Sequence, residues 1–290
     1  MSALRLSLLC AAFCALSLLS LAVGAEPGYT EEKGIVYDVR DGVTLVMDMK
    51  TRDDGKKRKP CCVAIHGGGW SEGTVEASDW LGAPLADMGY TVFGITYRLA
   101  PDHRFPAQIE DCKCAVRFIR ANAKKYNIDP RRIVAYGSSA GGHLASLLGV
   151  LPEGVYEGKG PYQKYSSRAD LVINSLGPED MGFFARVPGS ALTGVYGYLF
   201  DLSGKDLSYW TAKASPSSYV SRRSAPHLLL YGGRDDLVYP AQGELFYNKL
   251  RQAGVYAEMH VSPESGHGPP PEFRMQYIWP FLSKFFGEVK

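Results

Sequence analysis

Short, continuously apolar segments alternate with amphipathic helical patterns along most of this 290-residue sequence. An apolar run of four to eight residues is typical of a strand buried on both faces, as in parallel sheets. Strands that alternate with helices predict a mostly parallel sheet with helices on both sides. The predicted strands are 61–65, 90–97, 133–136, 171–174, 227–231 and 256–261. The predicted helices are 79–88, 106–125, 140–148, 243–253 and 271–286.

The segment before this alternation has a hairpin pattern. Residues 34–48 form two stretches on either side of Asp41-Gly42, a dipeptide that favours a two-residue turn. Every second residue after the turn is a large apolar one, as in a strand that buries one face. We therefore expect an antiparallel hairpin at one edge of the sheet. Residues 26–290 are long enough to form a single α/β domain with a deep core.

The first 25 residues have the composition of a secretory signal peptide. Arg5 supplies the positive charge that precedes the apolar core, and residues 6–23 are almost wholly apolar or small. The run ends in small residues, and Ala25 is the expected cleavage position. A retained membrane anchor is the alternative, because about 20 apolar residues can span a bilayer. We expect cleavage and a secreted or periplasmic location for residues 26–290.

Charge and cysteine content argue against several classes of function. The formal net charge is +2, and loss of Arg5 with the signal would leave +1, so there is no electrostatic basis for binding nucleic acid or an anionic membrane. Four cysteines follow the signal, too few for a disulfide scaffold. No histidine or acidic cluster accompanies them at the spacing of a zinc site, so no metal is expected. One disulfide across strand and helix, or buried free thiols, are equally compatible with the positions Cys61, Cys62, Cys112 and Cys114.

A candidate nucleophile lies where the third buried strand meets the next helix. Residues 137–142 read Gly-Ser-Ser-Ala-Gly-Gly and contain a G-x-S-x-G arrangement. This arrangement forms a tight turn that exposes its serine hydroxyl above the sheet, while the flanking glycines avoid Cβ clashes between strand and helix. We therefore predict that Ser139 is the nucleophile. Ser138 is the rival hydroxyl, but the glycines lie at the wrong offsets from it.

Three other strands are followed by residues that complete a hydrolytic site. Residues 66–70, His-Gly-Gly-Gly-Trp, form a turn whose amides can approach a substrate oxygen, and the Ala140 amide would supply the other half of an oxyanion hole. His267 stands between two glycines, where it is free to reach the serine as a general base. Asp235 is predicted to orient that histidine, with Asp236 as the competing carboxylate. The order serine, aspartate, histidine is the α/β-hydrolase order.

Seven short motifs occur in one order along the chain, and together they resemble a known family. They are similar to those of hormone-sensitive-lipase-like esterases and, more closely, of the secreted bifunctional deacetylase/feruloyl esterase (BD-FAE) group. The resemblance implies an α/β-hydrolase fold and hydrolysis of small carboxylic esters without metal or cofactor. It also implies that Gly67 and Gly68 join Ala140 in the oxyanion hole. The motifs lie at residues 66–70, 97–101, 105–107, 129–130, 137–142, 214–216 and 266–268.

A segment at about residues 178–214, between the fourth and fifth buried strands, is the place where such folds commonly carry a small cap. It is rich in aromatic residues. These either line a pocket for an acyl, aryl or sugar group, or pack a small core of the cap itself. The candidate substrate contacts are Trp70, Tyr198 and Trp210.

The sequence thus predicts a secreted serine ester hydrolase that acts on acetyl or feruloyl groups, with a small-molecule or carbohydrate ester as its partner. A general short-chain carboxylesterase or lipase-like enzyme is the main alternative. A serine peptidase of the same fold is a further one, although such enzymes usually carry an extra domain that restricts access. An inactive binding module is a last reading, and the complete set of triad residues argues against it.

Overall fold

The computed structural model describes residues 28–56, 58–187 and 190–288, so the predicted signal peptide lies outside the described residues. Within this part of the chain, one sheet is built from eight strands: β1 (Tyr29–Arg40), β2 (Val43–Arg52), β3 (Lys59–Ile65), β4 (Thr91–Ile95), β5 (Ile128–Ser138), β6 (Leu171–Ser175), β7 (His227–Gly232) and β8 (Ala257–Ser262). Their order across the sheet is β1-β2-β4-β3-β5-β6-β7-β8.

An antiparallel hairpin forms one edge of this sheet, as predicted. Its turn residues Asp41 and Gly42 both have positive φ, 51° and 80°, which suits a two-residue turn between twisted strands. The pairing runs beyond the predicted residues 34–48, from Tyr29 opposite Arg52. β2 is also antiparallel to β4, whereas β3 to β8 all run parallel. The prediction of a mostly parallel sheet with an antiparallel edge is confirmed.

Helices cover both faces of the sheet. Side chains of β3 alternate between two apolar clusters, with Val63 and Ile65 in one and Cys62 and Ala64 in the other. Because both faces are covered, every residue of β3 is buried. The helices are α1 (Asp79–Asp87), α2 (Ala107–Ala121), α3 (Ala140–Val150), α4 (Met181–Ala185), α5 (Tyr196–Leu199), α6 (Leu207–Ala214), α7 (Ala241–Gln252) and α8 (Pro271–Phe286).

The first cluster lies between the sheet and α2, α3 and α7, and the second lies between the sheet and α1 and α8. Outside the hairpin, two element ends differ from the predictions by four residues or more. The helix predicted over 106–125 ends at Ala121, because the side chain of Asn122 donates to the carbonyl oxygen of Phe118 (2.8 Å) and caps the last turn. β5 begins at Ile128 and not at residue 133, since the polar Asp-Pro-Arg-Arg stretch hides the start of this strand in the sequence.

The four cysteines of the described residues are free and buried, so of the two alternatives the structure contains the unpaired thiols. Burial away from water raises the pKa of each thiol. Such thiols are unreactive while the fold is intact. Within the described ranges, no helix combines the length and apolar composition that crossing a membrane requires.

Residues 178–214, called the insertion below, leave the sheet after β6 and return before β7. They contain α4, α5 and α6. The two ends of the insertion are held together, because the Met181 amide donates to Ser215 Oγ (2.8 Å) and the Ser217 amide donates to the Glu179 carbonyl (3.0 Å). The insertion is therefore closed at its base.

The carboxyl ends of β3, β5, β7 and β8 point to the same edge of the sheet, because these strands are parallel. Ile65 stands opposite Gly137, and Gly232 stands opposite Ser262, so neighbouring strands end level with one another. The loops that follow them are consequently brought to one place.

Candidate active site

Ser139 lies in a tight turn between β5 and α3. Its φ of 54° and ψ of −120° form a conformation that residues with a side chain rarely adopt. The His143 amide donates to the Ser139 carbonyl (3.1 Å) and ties the turn to the helix. The neighbouring glycines are required by close approach. A Cβ at Gly137 would lie 2.0 Å from the Gly141 carbonyl oxygen, and a Cβ at Gly141 would lie 2.1 Å from a carbonyl oxygen at the end of β3.

The structure brings the three predicted triad residues into one hydrogen-bonded chain. His267 Nε2 lies 2.9 Å from Ser139 Oγ, and His267 Nδ1 lies 2.8 Å from Asp235 Oδ2. A carboxylate accepts only, so Nδ1 carries a proton toward Asp235 and Nε2 is left to accept from the serine hydroxyl. This arrangement can remove a proton from Ser139 as its oxygen attacks.

The two competing carboxylates differ in burial and in contacts. The Asp235 side chain has no exposed surface, and its second oxygen, Oδ1, accepts from the amides of Leu237 (3.0 Å) and Val238 (2.9 Å). Three donors therefore fix this carboxylate in one orientation. Asp236 is exposed, and among the described residues the carboxylate that bonds His267 is that of Asp235, with no hydrogen bond or ion pair from His267 to Asp236. The geometry favours Asp235 as the group that orients the histidine.

The glycine loop, residues 66–70, lies directly beside the nucleophile. A Cβ at Gly67 would lie 3.0 Å from the Ser138 carbonyl oxygen and 3.4 Å from Ser139 Cβ. No hydrogen bond within the described residues uses the amides of Gly67, Gly68 or Ala140. Unpaired amides next to a nucleophile can accept the charge of a tetrahedral intermediate.

Tyr97 supports the glycine loop, a role that the sequence analysis did not predict. The Tyr97 hydroxyl lies 3.1 Å from the His66 carbonyl and 3.2 Å from the Gly67 carbonyl, and the rings of Tyr97 and His66 stack at 4.2 Å. Burial lowers the pKa of His66, whose ring supports the loop and does not reach Ser139 in this structure. Two signals could have pointed to this contact: Tyr97 lies just past a strand adjacent to β3, and it begins the motif at residues 97–101.

The three candidate substrate contacts lie in different surroundings. Tyr198 is half-buried, and its hydroxyl donates to the Gly69 carbonyl (3.2 Å), so it stands over the glycine loop. Trp210 is half-buried, with its indole N–H on the Asp201 carbonyl (2.5 Å) and its ring stacked on Phe200. Both remain candidate contacts.

Trp70 requires a correction. Its side chain is only 1% exposed, and its indole N–H donates to His143 inside the protein (3.1 Å). A side chain with so little free surface cannot contact a substrate directly. The reason is the backbone: a φ of 63° at Trp70 turns its side chain inward at the end of the glycine loop.

The insertion aromatics differ in burial. Phe184, Tyr196 and Phe200 are buried and belong to the apolar cluster shared with α2, α3 and α7, so they pack the interior. Tyr209 is 40% exposed. The described residues contain no group of three or more histidine, cysteine, aspartate or glutamate side chains arranged to hold a metal ion.

The chain matches a family model and several known proteins. The BD-FAE family model matches residues 47–250. Esterase LipC of Mycobacterium tuberculosis (strain ATCC 25618 / H37Rv) is 29% identical over 259 residues, which make up 83% of this chain and 60% of LipC. The chain therefore spans less than two thirds of that relative.

The similar solved structures include two that cover most of this chain at more than a quarter identity. A truncated carbohydrate esterase from gut microbiota is 29% identical with a TM-score of 0.78, and the match covers 92% of this chain and 99% of that one. An acetyl ester-xyloside bifunctional hydrolase from Caldicellulosiruptor lactoaceticus is 28% identical with a TM-score of 0.70, covering 84% and 86% of the two chains. The α/β-hydrolase fold is thus confirmed, and the chain belongs to the BD-FAE family of α/β-hydrolase serine esterases.

Proposed function

We propose that this protein hydrolyses short-chain carboxylic esters with Ser139, His267 and Asp235 as its catalytic triad, and that its natural esters are acyl groups on carbohydrate. The observation that carries the proposal is the position of His267, which lies within hydrogen-bond distance of both Ser139 Oγ (2.9 Å) and Asp235 Oδ2 (2.8 Å). A strained serine at the start of a helix, with unpaired amides beside it, completes the set of groups that acyl transfer requires.

The proposed reaction has two steps. His267 Nε2 takes the hydroxyl proton of Ser139 while Oγ attacks the ester carbonyl, and the amides of Gly67, Gly68 and Ala140 hold the resulting oxyanion. His267 then protonates the leaving alcohol as the acyl–enzyme forms. A water molecule then attacks the acyl group while it gives a proton to the same nitrogen. The bond between the acyl carbon and Ser139 Oγ breaks, Oγ takes that proton from His267, and the carboxylic acid leaves.

Two observations favour a small acyl group on a sugar. The matched structures include a carbohydrate esterase and an acetyl ester-xyloside hydrolase. Tyr198 and Trp210 present partly exposed aromatic rings on the insertion, of the kind that stack on sugar rings. A general short-chain carboxylesterase is the second candidate, and the likeness to the esterase LipC favours it.

The proposal is tested with the purified protein and its Ser139→Ala and Ser138→Ala variants. The wild type is expected to hydrolyse p-nitrophenyl acetate and butyrate, and Ser139→Ala to lose about 10⁴-fold or more in kcat. Ser138→Ala, which removes the neighbouring hydroxyl, keeps wild-type activity. No turnover of any short ester by the wild type would refute the proposal. Acetylated xylan then decides between the two candidates, because only a carbohydrate esterase prefers it to simple alkyl esters. Methyl ferulate tests separately whether the enzyme accepts an aromatic acyl group.

We also propose that the protein is exported and cleaved after Ala25. The basis is the charge and apolar pattern of residues 1–25. Expression of the full chain in a bacterium with a periplasm, followed by N-terminal sequencing of the periplasmic fraction, should show Glu26 as the first residue. An uncleaved chain in the membrane fraction would support the retained anchor instead.

A further inference from the structure

The imidazole of His143 is enclosed between three segments of the site. Trp70 Nε1, from the glycine loop, lies 3.1 Å from His143 Nδ1, and the Ala214 carbonyl, at the end of α6, lies 2.7 Å from His143 Nε2. The histidine itself belongs to α3, one turn after Ser139. It is fully buried and lies too deep to reach the reacting atoms.

The partners of His143 determine its protonation. An indole N–H can only donate, so Nδ1 carries no hydrogen, and a carbonyl can only accept, so Nε2–H is the donor. The ring is therefore neutral with its proton on Nε2. Burial agrees with this assignment, since it lowers the pKa of His143 to about 4. A second proton on Nδ1 would face the indole N–H and break the contact with Trp70.

The oxyanion hole is built from two segments that are far apart in the sequence. One half, Ala140, is the first residue of α3, and the other half, Gly67 and Gly68, belongs to the glycine loop. Trp70 ends that loop in a left-handed backbone conformation (φ 63°), which is unfavourable for a tryptophan unless its side chain is held. The hydrogen bond from its indole to His143 holds it.

We propose that His143 is a positioning residue that joins the two halves of the oxyanion hole, through its Nδ1 hydrogen bond to Trp70. The inference rests on the proposed function, in which the amides of Gly67, Gly68 and Ala140 hold the oxyanion. The backbone of His143 is bonded to the turn of the nucleophile as well, because the His143 amide donates to the Ser139 carbonyl (3.1 Å). Loss of the Trp70 bond frees the glycine loop to move relative to Ala140, and oxyanion stabilisation depends on that separation.

A matched pair of substitutions separates the two hydrogen bonds of the ring. In His143→Asn the amide oxygen takes the place of Nδ1, so the bond from Trp70 is kept and the bond to Ala214 is lost. In His143→Gln the amide nitrogen takes the place of Nε2, so the bond to Ala214 is kept and the bond from Trp70 is lost. Each variant loses one hydrogen bond and leaves one buried partner unpaired.

The expected result is unequal loss of kcat on p-nitrophenyl acetate. His143→Gln should lower kcat about tenfold or more with little change in KM, because a displaced donor loses part of the 100- to 1,000-fold effect of a full donor. His143→Asn should stay close to the wild type. Equal losses, a greater loss in His143→Asn, or wild-type kcat in both variants would overturn the proposal. Titration of the reactive serine gives the concentration of correctly folded enzyme, and each kcat is calculated from that concentration.

The indole N–H resonance of Trp70 supplies a readout that does not need activity. Its signal, assigned by its absence in Trp70→Phe, should keep its shift and slow solvent exchange in His143→Asn and lose both in His143→Gln. If the signal is unaltered in His143→Gln, the proposal fails. An inactive wild type with these same spectral changes would refute the proposed function while the structural link between His143 and Trp70 stands.

One control variant and one alternative test complete the design. His227→Asn is the control for loss of a buried histidine, since His227 is equally buried, bonds the Ala225 carbonyl through Nδ1 (2.7 Å) and lies at the opposite end of the strands. It should lower Tm without lowering kcat. If the His143 variants do not fold, Trp70→Phe decides alone: reduced kcat with unchanged KM supports the link, and an unchanged kcat refutes it.

Discussion

Replacing Asp235 by asparagine changes one carboxylate oxygen into an NH₂ group, and the structure determines which one. Oδ1 accepts from the amides of Leu237 and Val238, whereas Oδ2 accepts only from His267 Nδ1. An asparagine that keeps its oxygen on the two amides retains two hydrogen bonds. The reverse orientation would place NH₂ against two N–H donors. The reverse orientation would lose two hydrogen bonds, each worth about 1 kcal/mol, and would leave two buried N–H donors unpaired at about 1–3 kcal/mol each. The first orientation is therefore the stable one.

The consequence falls on the histidine. The NH₂ group of the introduced asparagine then faces His267 Nδ1 and donates to it, so the neutral ring carries its proton on Nε2. That nitrogen now donates toward Ser139 Oγ and cannot take the serine proton. Loss of the correct tautomer, together with loss of the charge that stabilises the imidazolium, is expected to lower kcat about 10⁴-fold, or about 5 kcal/mol of transition-state stabilisation.

The assay is kcat/KM on p-nitrophenyl acetate for Asp235→Asn, with Asp236→Asn as the adjacent control. Asp236 is exposed and forms no hydrogen bond with His267 in the part of the chain that the structure describes, so its variant should keep wild-type rates. Thermal unfolding of Asp235→Asn confirms that the protein is folded when its rate is measured. A greater loss in Asp236→Asn than in Asp235→Asn would refute both the assignment and the reasoning about the tautomer.

Three further predictions concern stability and reactivity. The buried Arg98 bonds Asp111 as its main partner (Nε to Oδ2, 2.8 Å), and Asp111→Leu removes that partner. The free energy of unfolding in urea should fall by about 3–5 kcal/mol. A decrease no greater than that caused by loss of an exposed ion pair would contradict this. Folding lowers the pKa of His143 and His227 to about 4, so these histidines take up protons in the unfolded chain at a higher pH than in the folded one. The free energy of unfolding should therefore fall as the pH decreases from about 6.5 to about 4, by up to about 1.4 kcal/mol per pH unit for each histidine. A flat profile over that range would count against their burial. The four buried thiols should react with a thiol reagent only after denaturation, and rapid labelling of the native protein would disprove it.

Much of the fold and the arrangement of the triad follow from the sequence, because local rules constrain both. Buried strands read as unbroken apolar runs, and Gly137 and Gly141 are required wherever a serine sits in such a turn. The orientation of Trp70 was not accessible in this way. It depends on a left-handed φ of 63° and on a partner, His143, that is 73 residues away in the chain.

The insertion was the hardest part to predict, for a related reason. Its α4 and α5 have five and four residues, too short for a helical pattern to reveal which face is buried. The sequence pattern therefore does not distinguish Phe184 and Phe200 from Tyr198. In the structure the first two are buried in the core, whereas Tyr198 reaches the glycine loop. Only the packing of the whole segment against the sheet separates interior aromatics from those at the site.

The closed base of the insertion bears on how such a protein diversifies. Because the Met181 amide donates to Ser215 Oγ, the two ends of the segment stay together while the stretch between them varies, as long as Phe184, Tyr196 and Phe200 are replaced by side chains that fill the same core. The entropy of closing a loop grows only slowly with its length, by roughly 0.6 kcal/mol for each doubling. Segments of different length that still fill this core can therefore stand between Met181 and Ser215, and selection can alter the aromatic side chains around the site while Ser139, Asp235 and His267 stay in place.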